Sequence, residues 1–251
     1  MSDPDSPKSV FSRVKTGIRG LDKILGGGLF RGGIYIVQGS PGTGKTIFSN
    51  QLCFYHVANE GRALFVTILA ENHGRMIGNL SALSFFQQSA VPDKITYLSA
   101  FPELRDEGLK GLAAVLRREI QRLRATMLVL EGLTSVQAAA ASDSAFKQFV
   151  HDLQEIALAT DCTMLLTTNG NVKDISPEQT MVDGLIELTD QQLGWHSQSD
   201  LRVRKFRGSA FLRGRHAYRI TDDGLVIFPR LDELYASPTK GETSALSKIS
   251  T

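Results

Sequence analysis

Residues 39–46 read Gly39-Ser40-Pro41-Gly42-Thr43-Gly44-Lys45-Thr46. The pattern GxxxxGK[ST] has a specific chemistry: backbone N–H groups curl around a chain of phosphates. Glycines permit the tight curl because they lack a Cβ. Lys45 then offers a point charge to the β- and γ-phosphates, and the Thr46 hydroxyl offers an oxygen ligand to Mg²⁺. All eight residues are candidate ATP-binding positions. The competing reading is a glycine-rich turn with an incidental lysine. The flanks argue against it: Ile34-Tyr35-Ile36-Val37 is a β-branched run, and Ile47, Leu52 and Val57 follow among helix formers. Strand, loop and helix is the setting that phosphate wrapping needs, with the positive end of the helix dipole at the anion.

Four further positions carry candidate chemistry. Glu131 follows the apolar run 126–130 and is the candidate acid that holds Mg²⁺ through water; the alternative is an ordinary strand-end glutamate. Glu71 follows the run 63–67, whose end should lie beside the phosphate loop, where a carboxylate can orient the attacking water; the alternative is a solvated loop residue. His73 is read as a surface or helix-cap residue. Asn169 follows the run 162–168, at the ligand edge expected of open α/β sheets, and is a candidate γ-phosphate sensor. Lys205 and Arg207 stand two residues apart on a late strand and should share a face. Two neighbouring cations suit an anion, here the phosphates of an adjacent subunit. The competing reading is a basic edge strand that discourages aggregation.

These residues need an alternating scaffold. Apolar periodicity predicts strands at 34–37, 63–67, 94–98, 126–130 and 162–168. It predicts helices at 16–25, 75–86, 109–123 and 144–158, besides one that begins within the phosphate loop. Such alternation implies an α/β fold with a mostly parallel sheet covered on both faces. From residue 182 onward four strands follow in succession, at 182–188, 201–206, 216–220 and 225–228, which predicts an antiparallel C-terminal extension.

Composition bounds the partners. With 251 residues, 42% hydrophobic and 22% charged, the chain can build one large globular domain. A net charge of +2 demands no polyanion, so nucleic acid is not expected as a partner. Cys53 and Cys162 lack metal-ligand spacing and read as reduced core residues of a cytoplasmic protein. No apolar run reaches membrane-spanning length. Residues 1–11 and 233–251 have the composition of a disordered tail and a linker around a domain at 12–232. The ending Ser247-Lys248-Ile249-Ser250-Thr251 echoes Ser12-Arg13-Val14-Lys15-Thr16, as the start of a second copy would; coincidence is the alternative.

The chain resembles a single domain of the KaiC family, within the RecA-like P-loop ATPases. Besides the phosphate loop, the residues that carry the likeness are Thr16-Gly17-Ile18, Gly20-Leu21-Asp22, Gly26-Gly27-Gly28-Leu29, Phe65-Val66-Thr67, Glu131-Gly132-Leu133-Thr134-Ser135, Lys205-Phe206-Arg207-Gly208, Ile220-Thr221-Asp222-Asp223-Gly224 and Ile227-Phe228-Pro229. The resemblance implies a RecA-like fold, ATP and Mg²⁺ as cofactors, and a homohexameric ring with nucleotide at its interfaces. Lys205 and Arg207 would then act in trans. The Ile-Phe-Pro ending resembles the first of two tandem domains. Three departures stand out. The family's paired glutamates are Ala70-Glu71 here, so only Glu71 is carried over. The Mg²⁺ acid is Glu131 where the family has Asp. The Ser-Thr pair phosphorylated in the second domain of the clock protein has no adjacent counterpart, which puts autokinase activity of this domain in doubt, although a second domain could supply it.

The leading expectation is an ATP-hydrolysing ring that serves as a signalling or timing module with protein partners. Two others remain open: a RecA/RadA-like DNA-dependent ATPase, against which no basic loop with interleaved aromatics stands out, and a nucleotide-binding scaffold with little hydrolysis, favoured by the single carried-over glutamate.

Overall fold

The computed structural model describes residues 12–68, 73–169 and 180–231. In chain order the elements are β1 (Arg13–Val14), α1 (Leu21–Ile24), β2 (Leu29–Phe30), β3 (Ile34–Gly39), α2 (Lys45–Ala58), β4 (Ala63–Thr67), α3 (His73–Leu80), β5 (Ile95–Ser99), α4 (Phe101–Leu123), β6 (Met127–Glu131), α5 (Leu133–Ala138), α6 (Asp143–Thr160), β7 (Thr163–Thr168), β8 (Gly184–Leu193), β9 (His196–Phe206), β10 (His216–Thr221) and β11 (Gly224–Phe228). Nine strands form one sheet in the order β11-β10-β9-β8-β3-β7-β6-β4-β5.

The strands from β8 to β5 in that order run parallel, with Ile36 in register with Leu185 on one side and Leu166 on the other. Strands β8 to β11 pair antiparallel. The predicted extension is therefore present, but it begins at β9: the first late strand, β8, is the parallel neighbour of β3. Alternation in β3 divides two cores. Tyr35 and Val37 face α1, α2 and α3, whereas Ile34 and Ile36 face α4, α5 and α6. All six β3 residues are buried, as a central strand of a sheet covered on both faces requires.

Two predicted helices are shorter than periodicity implied. The helix expected at 16–25 is one turn, Leu21–Ile24. Before it, Thr16 is held in a non-helical path by Asp22, whose Oδ1 accepts from both the Thr16 N–H and hydroxyl at 3.0 and 2.8 Å. The helix expected at 75–86 ends at Leu80. Leu83, Phe85 and Phe86 do pack on the core, with the last two rings against Phe54 of α2 at 5.7 and 5.1 Å, but from a turn. The Ser84 N–H donates to Asp222 O at 2.8 Å, so the chain leaves the helix to meet the β10–β11 turn. α4 starts earlier than predicted and is interrupted at Gly108, so its second part matches the expected 109–123. The short α5 carried no sequence signal of its own.

The N-terminal turn is fastened to the far edge of the sheet through Gly20, which has φ 88°. A Cβ there would stand 2.1 Å from the Ile227 carbonyl oxygen, while the Ile227 N–H donates to Arg19 O at 2.9 Å. We expect Gly20→Ala to lower unfolding free energy by about 1–3 kcal/mol. Gly78, an exposed position in α3 with nothing within 4 Å of an added Cβ, should gain about 0.5–1 kcal/mol on becoming alanine. Urea unfolding of both variants checks the pair; equal shifts would refute the close-approach account.

Candidate nucleotide-binding site

The phosphate loop leaves the buried end of β3 and enters α2. Gly44, at φ 88°, precedes the first turn of this 14-residue helix. A side chain at Gly44 would meet Ile220 Cδ1 at 2.7 Å, and one at Gly39 would meet Leu188 O at 2.5 Å, so the loop is pressed between α2 and the late strands. Tyr218 of β10 reaches across and donates its hydroxyl to Thr43 O at 2.7 Å. Burial, with Asp190 adding, pushes the Tyr218 pKa up to about 12, which keeps the hydroxyl protonated and a donor at neutral pH. Thr43 fastens the loop internally, its hydroxyl donating to Ser40 O at 2.9 Å.

A cleft of about 420 Å³ opens at this loop, lined among others by Gly42, Lys45, Thr46, Glu131, Asn169 and Ile220. Lys45 is 9% exposed, and its ammonium donates to Gly39 O at 2.7 Å and Ser40 O at 3.0 Å. Burial pulls its pKa below the ordinary lysine value, while the Glu131 carboxylate opposes the shift. The Thr46 hydroxyl donates to Glu131 Oε1 at 2.5 Å. Glu131 is delivered from two strands away as the last residue of β6, level with Thr67 of β4 and Thr167 of β7. Asn169 stands at the same edge, its N–H donating to Thr134 Oγ1 at 3.2 Å. Ile220 is 43% exposed, an apolar surface beside the phosphate loop that suits the flat face of a base.

The structure thus brings Gly39 through Thr46, Glu131 and Asn169 to one strand edge. Glu71 lies outside the described residues. His73 opens α3 and is more than a surface residue: its Nε2 pairs with Thr67 Oγ1 at 2.8 Å, next to Glu131's strand. Lys205 and Arg207 do not line this cleft. Lys205 is level with Leu185, whereas Gly39 is level with Leu188, three residues along β8 or about 10 Å. The two cations converge on Thr180 O, Lys205 Nζ at 2.6 Å and Arg207 Nη2 at 2.8 Å, so they share a side as their spacing predicted. Burial and then Arg207 draw the Lys205 pKa down, with Asp183 opposing. Sequence reasoning missed Tyr218 as a loop anchor. No motif marks it, because only the pairing of β10 with β9 and β11 carries it to Thr43.

Comparisons with known proteins show the family and the fold. The sequence model of the family described as "ATPase: KaiC" matches residues 14–232. A UPF0273 protein of Thermotoga maritima is 29% identical over 238 residues, 88% of this chain and 97% of that protein. The circadian clock oscillator protein KaiC 1 of a Synechocystis species is 25% identical over 239 residues, 90% of this chain but only 46% of that protein. In the crystal structure of a KaiC-like protein from Pyrococcus horikoshii the same fold recurs, with a TM-score of 0.75 at 22% identity over 87% of this chain and 100% of that one. The chain belongs to the KaiC ATPase family. Among its described residues no helix is long and apolar enough to cross a membrane.

Two outcomes follow from the loop geometry. Lys45→Ala should weaken ATP affinity at least about tenfold by removing a charged donor. Tyr218→Phe should weaken it less, by up to about tenfold, through a loosened Thr43 carbonyl, with the fold intact. Calorimetric titration with a nonhydrolysable ATP analogue reads both, and unchanged affinity in Lys45→Ala would remove the site assignment.

Proposed function

We propose that this chain binds and hydrolyses ATP as a ring of identical subunits, with nucleotide shared between neighbours. The observation that carries the reading is the convergence in one cleft of Lys45, Thr46 and Glu131 at the N-terminus of α2. Each residue has a distinct task. The loop N–H groups and the helix end bind phosphate oxygens. Lys45 exchanges its bonds to Gly39 O and Ser40 O for the β- and γ-phosphates. Thr46 and Glu131 form an all-oxygen donor pair that fits Mg²⁺, Thr46 directly and Glu131 through water. A Mg²⁺ held by these two residues would supply positive charge that offsets the negative charge developing on the phosphates. Glu71 is the residue proposed to orient water, and Asn169 to sense the γ-phosphate.

The place of Lys205 and Arg207 supports the ring. Lys205 stands three residues back along β8 from the level of its own phosphate loop and both cations lie outside that cleft, which favours a phosphate carried by another copy. Head-to-tail contacts of this kind close into rings where the rotation between copies closes. Use of the ring as a signalling or timing module rests on the clock proteins that bear the family name, of which this chain spans less than half in the Synechocystis case.

Glu71→Gln should keep ATP bound and lower kcat by about a hundredfold, since the carboxamide keeps the shape and loses the proton acceptor. Glu131→Gln should instead raise the Mg²⁺ concentration needed for half-maximal phosphate release. A wild-type rate in Glu71→Gln would show that another group orients the water, and stimulation of the native chain by single-stranded DNA would favour the DNA-dependent reading.

Subunit mixing tests the ring. Lys45→Ala chains and Lys205→Ala/Arg207→Ala chains should each be inactive alone. Assembled together, with mixed rings verified by size, they should regain part of the activity, because some interfaces pair an intact loop with intact fingers. Full activity of the finger double variant alone would leave the basic-edge account standing.

A further inference from the structure

We infer that Glu187 is a positioning residue for the basic strand β9, holding Arg204 and through it the aim of Lys205 toward a neighbouring copy's nucleotide. The inference rests on the reading that Lys205 and Arg207 act across an interface.

Glu187 is anomalous. It lies on β8, is 1% exposed, and neither Oε1 nor Oε2 has a hydrogen-bond partner. Its ion pair among the described residues is with Arg204, Nη1 standing 3.6 Å from Oε2. Burying a carboxylate without hydrogen bonds weakens a fold, and an apolar side chain of similar size would serve packing better. Stability alone therefore gives no account of this residue.

Its position in the sheet gives one. Glu187 is level with Gln38 of β3 on one side and Arg202 of β9 on the other. Gln38 immediately precedes Gly39, so Glu187 is one residue back along the sheet from the start of the phosphate loop, on the face away from α2. On the β9 side the ladder is irregular: Ile186 pairs with Val203 but Leu185 pairs with Lys205, which leaves Arg204 as an extra residue. Such a bulge redirects the side chains that follow it. The residue that bulges out is the one Glu187 holds.

The bulge has firm anchors on either side. Val203 and Leu201 are in the core, and Phe206 stacks on Phe30 and Tyr35 at 5.6 and 5.8 Å. These contacts fix β9 on both sides of the bulge whatever stands at position 187. Between them, Arg204 and Lys205 are held by polar contacts, Arg204 by Glu187 and Lys205 by Thr180 O at 2.6 Å. A shift of one residue in this stretch turns side chains to the other face of the sheet. Glu187 opposes that shift, and it does so from the strand beside the phosphate loop. Each subunit's finger is thereby set from the strand that flanks its own nucleotide site.

Glu187→Leu separates positioning from structure. Its unfolding midpoint should match or exceed that of the native chain, and its KM for ATP should stay the same. Its kcat should fall about tenfold, the scale of a displaced catalytic contact. Arg204→Met should do the same, and the double variant should lose no more than either alone. The trans test adds Glu187→Leu to the Lys45→Ala subunit, then mixes it with the Lys205→Ala/Arg207→Ala subunit. Activity regained in that mixture should be about a tenth of that regained with Lys45→Ala alone. Equal recovery with and without Glu187→Leu, or a lowered unfolding midpoint with unchanged kcat, would overturn the inference. No recovery in the control mixture would overturn the interface reading, and this inference with it.

Discussion

The site depends on a strand that can neither bend nor slide. β3 is buried along all six residues, paired on both sides, and packed between two helical layers. Its end is therefore a fixed point from which Gly39 begins the phosphate loop. A loop rich in glycine is costly to order, and its conformation must be imposed from outside. Here the imposition comes from four directions: β3 behind, α2 ahead, Leu188 of β8 at the flank, and Tyr218 of β10 across the top. Preorganised N–H groups are what make such a loop a strong anion site, because little reorganisation is left for the moment of binding.

The antiparallel extension is part of the site. Gln51 of α2 accepts from the Leu225 N–H at 2.8 Å and donates to Leu225 O and Asp223 O at 3.3 Å each. The helix that starts at Lys45 is thus bonded to the β10–β11 turn, and Ile220 of the same hairpin lines the cleft. Deeper in α2, Asn50 donates to Thr46 O at 2.8 Å and accepts from Tyr97 of β5 at 2.7 Å. The helix whose Thr46 offers its hydroxyl to Glu131 is in this way tied to both edge strands of the sheet, β11 through Gln51 and β5 through Asn50. The phosphate loop and the β10–β11 hairpin are thus joined by direct hydrogen bonds.

Much of this was legible because it follows short-range rules. The phosphate loop is a local motif, and the strand–helix alternation around it is a matter of periodicity, so the α/β class, the parallel sheet and the late antiparallel strands could be read directly. Asn169 and Glu131 were legible as strand ends, since ligand edges of open sheets gather such ends. The misses came from long-range contacts. Leu83, Phe85 and Phe86 are apolar at helical spacing, yet they pack from a turn because Ser84 is drawn to Asp222. Thr16 and Ile18 looked helical, yet Asp22 captures the backbone first. Tyr218 and Glu187 carried no signal, because what matters for each is the strand laid beside it.

Those two residues show opposite uses of a buried polar group. Tyr218 is 3% exposed and satisfied, and its bond to Thr43 O fixes a loop at no electrostatic penalty, since the hydroxyl stays neutral. Glu187 is 1% exposed and unsatisfied, holding Arg204 at 3.6 Å, beyond hydrogen-bond length. A satisfied hydrogen bond confers rigidity, because every displacement raises its energy. A long ion pair is more compliant: Coulomb attraction falls slowly with distance, so Arg204 is drawn toward Glu187 without being locked to one geometry. The loop that must present N–H groups at hydrogen-bond distance is held by the rigid contact. The bulged Arg204 is held by the compliant one, which leaves the bulge room for small adjustments, while Lys205 and Arg207 beside it are fixed by hydrogen bonds to Thr180 O at 2.6 and 2.8 Å.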